Sequence, residues 1–148
     1  MPTVTDRITI HRKPEEIWDY LLDLDNLPVY ESQVIRAEQI TDGEVGVGTR
    51  WRGATKVLGR NLEWVTECTE FQPARTYTFT TIEAKLDYQI TWTLTPSGDG
   101  TDVGYRLEAE SGLGGMFGKL GDPLVTKAQQ HTVKANLANL KELLEADA

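Results

Sequence analysis

The chain has 148 residues, enough for one domain with a core of its own. Its 15 basic and 23 acidic residues leave a net charge of −8, which argues against the basic footprint of a nucleic-acid binder and against docking on anionic lipid. One cysteine, Cys68, excludes an internal disulfide framework and a four-thiolate zinc site.

The first residues show neither a basic n-region nor an apolar h-region, and no stretch approaches 18 apolar residues. The expectation is a cytoplasmic protein that does not insert into membranes. Val4 to Ile10 alternates as a half-buried strand. Pro14 then opens a helix, with Glu15 and Glu16 at the positive end of its dipole and Ile17, Trp18, Leu21, Leu22 and Leu24 along an apolar stripe. Asp25-Asn26 interrupts it, and Pro28 sits in a second short helical piece over Leu27 to Ser32.

Six strand candidates follow: Val34–Ile40, Gly48–Leu58, Asn61–Glu70, Arg75–Glu83, Leu86–Thr95 and Asp102–Ser111. Asp42-Gly43 with Gly46, Gly59-Arg60, Gln72-Pro73-Ala74, Ala84-Lys85 and Pro96 to Gly100 separate them. Connections this short join antiparallel neighbours, because a parallel pair needs a crossover of a dozen residues or more. Alternation then assigns the faces. Trp51, Tyr77, Phe79, Tyr88, Trp92 and Tyr105 point one way, and Arg50, Arg52, Arg106 and a series of threonines point the other. Trp64 joins the inward set because Glu63 and Glu67 take the opposite side.

A sheet with one dry face needs a cover. From Asp122-Pro123 to Leu144 there is no further glycine or proline, which predicts a helix of about 22 residues and about 33 Å. Val125, Gln129, Val133, Leu137, Leu140 and Leu144 share one face. Its second half carries three leucines; its first half is only weakly apolar. This unevenness predicts that the first half stands off the sheet over a space, with Gln129 either orienting a ligand there or lying at the rim.

Several chemistries fail on inspection. His11 and His131 are far apart, with no ligand at metal spacing, so no metal and no cofactor is expected. The run Gly112 to Gly121 resembles a phosphate loop only superficially, since Leu113 and Leu120 occupy required positions. It reads as a flexible loop, or as a lid weighted by Leu113, Met116, Phe117 and Leu120. The strands present no inward Asp, Glu, His, Lys or Arg. Cys68 reads as a small buried hydrophobe. The inward tyrosines and tryptophans give an apolar face with polar tips, as small-molecule pockets have.

The order of elements, with Ile8-x-Ile10, Lys13 to Leu21, Gly48-Thr49-Arg50-Trp51, Glu70 to Arg75, Pro96 to Thr101 and Asn136 to Leu144-Glu145, resembles the START/Bet v 1-like (SRPBCC) superfamily. Its polyketide cyclase/dehydrase-like branch is the nearest match. The resemblance covers nearly the whole chain, as one domain over residues 1–148. It implies an α+β helix-grip fold: a curved antiparallel sheet of about seven strands around a long C-terminal helix, with two short helices after the first strand. It further implies a cavity for lipids, sterols or polyketides, and in some members cyclisation or dehydration of a polyketide chain. Cyclases of this branch tend to hold an arginine in the pocket, whereas Arg50, Arg52 and Arg106 alternate outward here.

The expected function is binding of a small hydrophobic or aromatic ligand by Trp51, Trp64, Tyr77, Phe79, Tyr88, Trp92, Tyr105, Phe117, Val125, Gln129 and Val133. A cyclase, aromatase or dehydratase using Tyr77, Tyr88 or Tyr105 as acids is the alternative. A protein-interaction module with a filled cavity is a third reading. The expected partner is a small hydrophobic molecule, with the protein a monomer or homodimer.

Overall fold

The computed structural model describes residues 3–57, 59–84, 87–109 and 122–146, with residues 57 and 122–126 described by their backbone alone. Strand β1 (Thr3–Ile10) leads into helix α1 (Pro14–Leu22) and a single helical turn, α2 (Leu27–Tyr30). Six strands follow: β2 (Val34–Gln39), β3 (Arg50–Val57), β4 (Arg60–Gln72), β5 (Thr76–Ala84), β6 (Tyr88–Ser97) and β7 (Gly100–Ala109). Helix α3 (Asp122–Ala146) ends the described chain.

The seven strands form one antiparallel sheet in the order β1-β7-β6-β5-β4-β3-β2. Consecutive hairpins build it from β2 to β7, and β1 adds to β7 at the far side. β1 and β2 are therefore opposite edges, although they are neighbours in sequence. The chain between them must cross the open mouth of the sheet, and α1 and α2 are that crossing. This topology, the curvature and the long helix make the helix-grip fold that the resemblance implies. No helix among the described residues is long and apolar enough to cross a membrane.

The alternation assigned from sequence holds. On β1, Val4 and Ile10 are buried while Thr3, Thr5, Arg7 and Thr9 are exposed. Trp92 and Leu94 on β6, and Val103, Tyr105, Leu107 and Ala109 on β7, are buried on the concave face. The outward arginines pair with acids on the convex face: Arg50 with Glu67 at 3.1 Å, Arg106 with Glu108 at 2.7 Å, and Arg52 with Glu38. Pairs this exposed contribute little stability. They keep charge off the core.

Helix α3 is anchored by its second half. Val133, Leu137, Leu140 and Leu144 are buried in the main core with Val4, Ile10, Ile17 and Val103. Each such side chain contributes about 1.5–3 kcal/mol of burial. The helix end is also fastened to β1. The Arg12 guanidinium donates to the Leu144 carbonyl oxygen at 2.9 Å, and the His11 amide donates to Glu145 Oε2 at 2.9 Å. Lys141 Nζ donates to the Thr9 carbonyl at 2.8 Å. Cations at a helix C-terminus satisfy carbonyls that have no intrahelical partner. Along the described side chains of the first half, Lys127, Ala128, Gln130 and His131 are exposed and Gln129 is half-buried.

Gly53 and Gly100 are both required by close approach, and Gly53 bears on the cavity. Gly53 on β3 lies opposite Trp64 on β4, and the indole rests where a side chain would stand. A Cβ at Gly53 would come within 2.6 Å of the Trp64 ring and would run into the Arg36 carbonyl oxygen of β2. Gly53→Ala is expected to cost about 1–3 kcal/mol through overpacking and to displace Trp64. Urea unfolding with Trp fluorescence checks this. Unchanged stability and an unchanged emission maximum would contradict it.

Candidate functional site

Between the concave face and the standing-off half of α3 lies a cavity of about 150 Å³. Of the residues expected from sequence, Trp51, Trp64, Tyr77, Phe79, Tyr88, Trp92, Tyr105 and Gln129 all line it. Val133 does not. It is 4% exposed and packs in the anchored part of the core, one helical turn beyond Gln129. The Val125 side chain and Phe117, with the glycine-rich run Gly112 to Gly121 expected as a loop or lid, lie outside the described residues.

The aromatic lining, together with Trp18, Phe71 and Tyr20 packed against it, is organised in two series of ring contacts. In one, Trp18 of α1 meets Phe71 and stands edge-on to Tyr77 at 5.2 Å. Tyr77 stacks on Phe79, and Phe79 meets Trp51 at 6.0 Å. In the other, Tyr20 meets Tyr30, Tyr30 is edge-on to Trp92, and Trp92 is edge-on to Tyr105 at 4.9 Å. Edge-to-face rings hold one another in place beyond what their buried area supplies. Trp64 is fixed by an indole hydrogen bond to Thr55 Oγ1 at 2.8 Å. These walls are preformed.

The polar groups of the cavity are few. Tyr30 spends its hydroxyl on the Leu21 carbonyl at 3.4 Å. No hydrogen bond among the described residues engages the hydroxyls of Tyr77, Tyr88 or Tyr105. Burial pushes all three well above the usual tyrosine range, so they stay protonated as donors. Cys68 is 1% exposed, and its thiol is likewise raised by burial. It is the buried apolar residue expected, and its Sγ lies 3.3 Å from the Glu70 carbonyl oxygen.

The group that strand alternation misses is Glu31. It caps the C-terminus of α2, where the backbone leaves the helix for an extended conformation. The expected helical piece to Ser32 thus stops at Tyr30. The Glu31 amide donates to the Leu27 carbonyl and its own carbonyl accepts from the Val34 amide, which pins the residue in place. Its side chain lines the cavity, the residue is only 9% exposed, and no described side chain hydrogen-bonds the carboxyl. Desolvation pushes its pKa from 4.5 up to about 7. The spacing did hold a signal. Leu27, Tyr30 and Glu31 stand at i, i+3 and i+4, on one helical face.

A second polar link joins the mouth to α3. Gln33 lines the cavity, and its Oε1 accepts from Asn136 Nδ2 at 3.0 Å. Among the described residues no group of three or more His, Cys, Asp or Glu side chains gathers as a metal site would require.

A sequence profile described as "Polyketide cyclase / dehydrase and lipid transport" matches residues 1–145. The chain belongs to this family. Solved structures of similar shape agree. A Thermus thermophilus protein, TTHA0849, is 29% identical with a TM-score of 0.83, over 99% of both chains. A START superfamily protein from Mycobacterium smegmatis is 14% identical with a TM-score of 0.80, over 99% of both chains. The Zhui aromatase/cyclase from Streptomyces sp. R1128 is 16% identical with a TM-score of 0.72, over 97% of this chain and 93% of that one. The last two likenesses carry the fold alone. Curated proteins yield no sequence match.

The carboxyl makes stability depend on pH. Between pH 4.5 and 7 the folded chain keeps a proton on Glu31 that the unfolded chain releases, so stability falls as pH rises through that window. At about 1.4 kcal/mol per pH unit the loss is on the order of 3 kcal/mol. Glu31→Gln should therefore be more stable than the parent by that order at pH 8 and nearly equal to it at pH 4.5. Urea titrations at the two pH values check this. A difference that does not grow with pH would contradict it.

Proposed function

We propose that the protein binds a small molecule with an aromatic or other apolar skeleton in the cavity between sheet and α3. The observation that carries this reading is the cavity itself, about 150 Å³ walled by rigid aromatics and edged by the unengaged hydroxyls of Tyr77, Tyr88 and Tyr105. An empty apolar space of about this size holds one benzene ring in other proteins. It lies below the roughly 300–1,000 Å³ of sites for drug-sized ligands. The fitting occupant is thus a compact, ring-sized molecule rather than a two-chain lipid. Apolar faces meet the indoles and Phe79, and hydrogen-bond acceptors meet the phenols. Binding, transport or sequestration all use the same contacts. The space argues against the reading as an interaction module with a filled cavity.

A second reading, cyclisation or dehydration of a polyketide chain, is favoured by one specific feature. Glu31 has a pKa of about 7, where a carboxyl both gives and takes protons at neutral pH. In this reading Glu31 is the acid–base group. The tyrosines expected from sequence as acids are held too far above neutrality and act as hydrogen-bond donors.

A panel of ring-sized aromatics, phenols and short polyketide fragments, read by Trp fluorescence and thermal melting, tests the binding reading. Three of the four tryptophans line the cavity, so a ligand should change their emission. At about 100 times its Kd it should add about 2.7 kcal/mol of stability. Ile90→Trp, which fills the cavity from β6, should abolish both effects while the protein stays folded. No response across the panel, or responses that survive the filled cavity, would contradict the reading.

A further inference from the structure

We infer that the cavity selects a ligand whose apolar skeleton carries an organic ammonium group, with Glu31 as its counter-ion, and that it rejects carboxylates. The inference rests on the cavity being a binding site, and it names the chemical class of the ligand.

Charge on the lining decides the matter. Among the described residues around the cavity there are two carboxyls, Glu31 and Glu63, and no Lys, Arg or His. Glu63 belongs to the rim, where it pairs with Arg36 at 2.9 Å and both side chains are mostly exposed. Glu31 is inside and unpartnered. The lysines of α3 nearest the cavity, Lys127 and Lys134, are exposed, and Lys141 is tied to Glu145 at 2.7 Å at the other end. The titratable groups that face Glu31 are the phenols of Tyr30, Tyr77, Tyr88 and Tyr105, on α2, β5, β6 and β7, all held neutral.

A lone carboxyl in such a place has two options. It can stay protonated, as desolvation drives it to do, or it can ionise against an incoming cation. A buried ion pair returns the cost of burial only when the partner is well placed. Here the partner would have a second source of attraction. The faces of Trp51, Trp92, Tyr77 and Tyr105 are negative, and an ammonium within about 6 Å of a ring centroid gains about 0.5–2 kcal/mol. A carboxylate meets the opposite of each term: like charge at Glu31, negative ring faces, and no cation. Neutral donors, the phenols and the amides of Gln33 and Gln129, would stabilise it, and they would do as much for a neutral alcohol.

Three probes of one skeleton separate these cases: 2-phenylethylamine, which is protonated at neutral pH, 2-phenylethanol and 3-phenylpropionate. Calorimetry at pH 8 should give the amine at least a tenfold tighter Kd than the carboxylate. At pH 7 amine binding should release about half a proton, read as a dependence of the heat on the ionisation enthalpy of the buffer. In Glu31→Gln the proton release should vanish and the preference for the amine over the carboxylate should shrink at least fivefold to what the ring faces alone supply, and a cooperative urea transition shows that the variant is folded. Binding of the alcohol with no preference for the amine overturns this inference and leaves the binding reading standing. A preference undiminished in Glu31→Gln, or proton release that persists there, also overturns it. If none of the three binds, this inference falls for single-ring amines, and the broader binding reading falls if the wider aromatic and polyketide panel is silent as well.

Discussion

One helix has to close a sheet that is too broad for it, and the site follows from that mismatch. Seven strands at about 4.8 Å spacing span roughly 29 Å, whereas a helix with its side chains is about 10–12 Å across. Helix α3 meets the mismatch by committing its second half. Val133, Leu137, Leu140 and Leu144 bury themselves, and the Arg12, His11 and Lys141 contacts hold that end to β1. The described first half, with Gln129 at its inner face, is left over a space.

The other constraint is topological. β1 and β2 are opposite edges, so the twenty-odd residues between them have to run across the mouth. That crossing brings α1 and α2 over the concave face. It also carries Tyr30 and Glu31 to the cavity from outside the sheet and sets Trp18 against Tyr77. A carboxyl enters an otherwise acid-free interior only because a one-turn helix ends at Tyr30 and the next residue turns inward. Desolvation makes keeping it there cost on the order of 3 kcal/mol when it is ionised. A chain selected only for packing would replace it with leucine or glutamine. The family to which the chain belongs is described as "Polyketide cyclase / dehydrase and lipid transport".

Much of this is legible in the residues. Strict alternation in Tyr88 to Leu94 and Val103 to Ala109 places the inner face correctly, because a period of two admits no other reading for a half-buried strand. The thin first half of α3 predicts a space, and the space is present. What alternation cannot supply is the contribution of elements that are not strands. Trp18, Tyr20, Tyr30 and Glu31 lie on or beside short helices whose position depends on the strand order, and strand order is a long-range property. Val133 and Gln129 share a helical face, which groups them by sequence. The structure separates them, since the helix leaves the cavity for the core within one turn. Strand ends also differ by one or two residues from the expected ones, as at β7, where Gly100 and Thr101 already pair with Ser97 and Pro96.

Glu31, buried and without a hydrogen-bond partner among the described residues, stands inside an aromatic-walled cavity. The most direct measurement is a carbon-13 NMR titration of glutamate side-chain carboxyls in the free protein, with Glu31→Gln assigning the resonance. An apparent pKa of about 7 is expected for Glu31. A value at the ordinary 4.5 would mean that the carboxyl is solvated or paired, and would contradict the account.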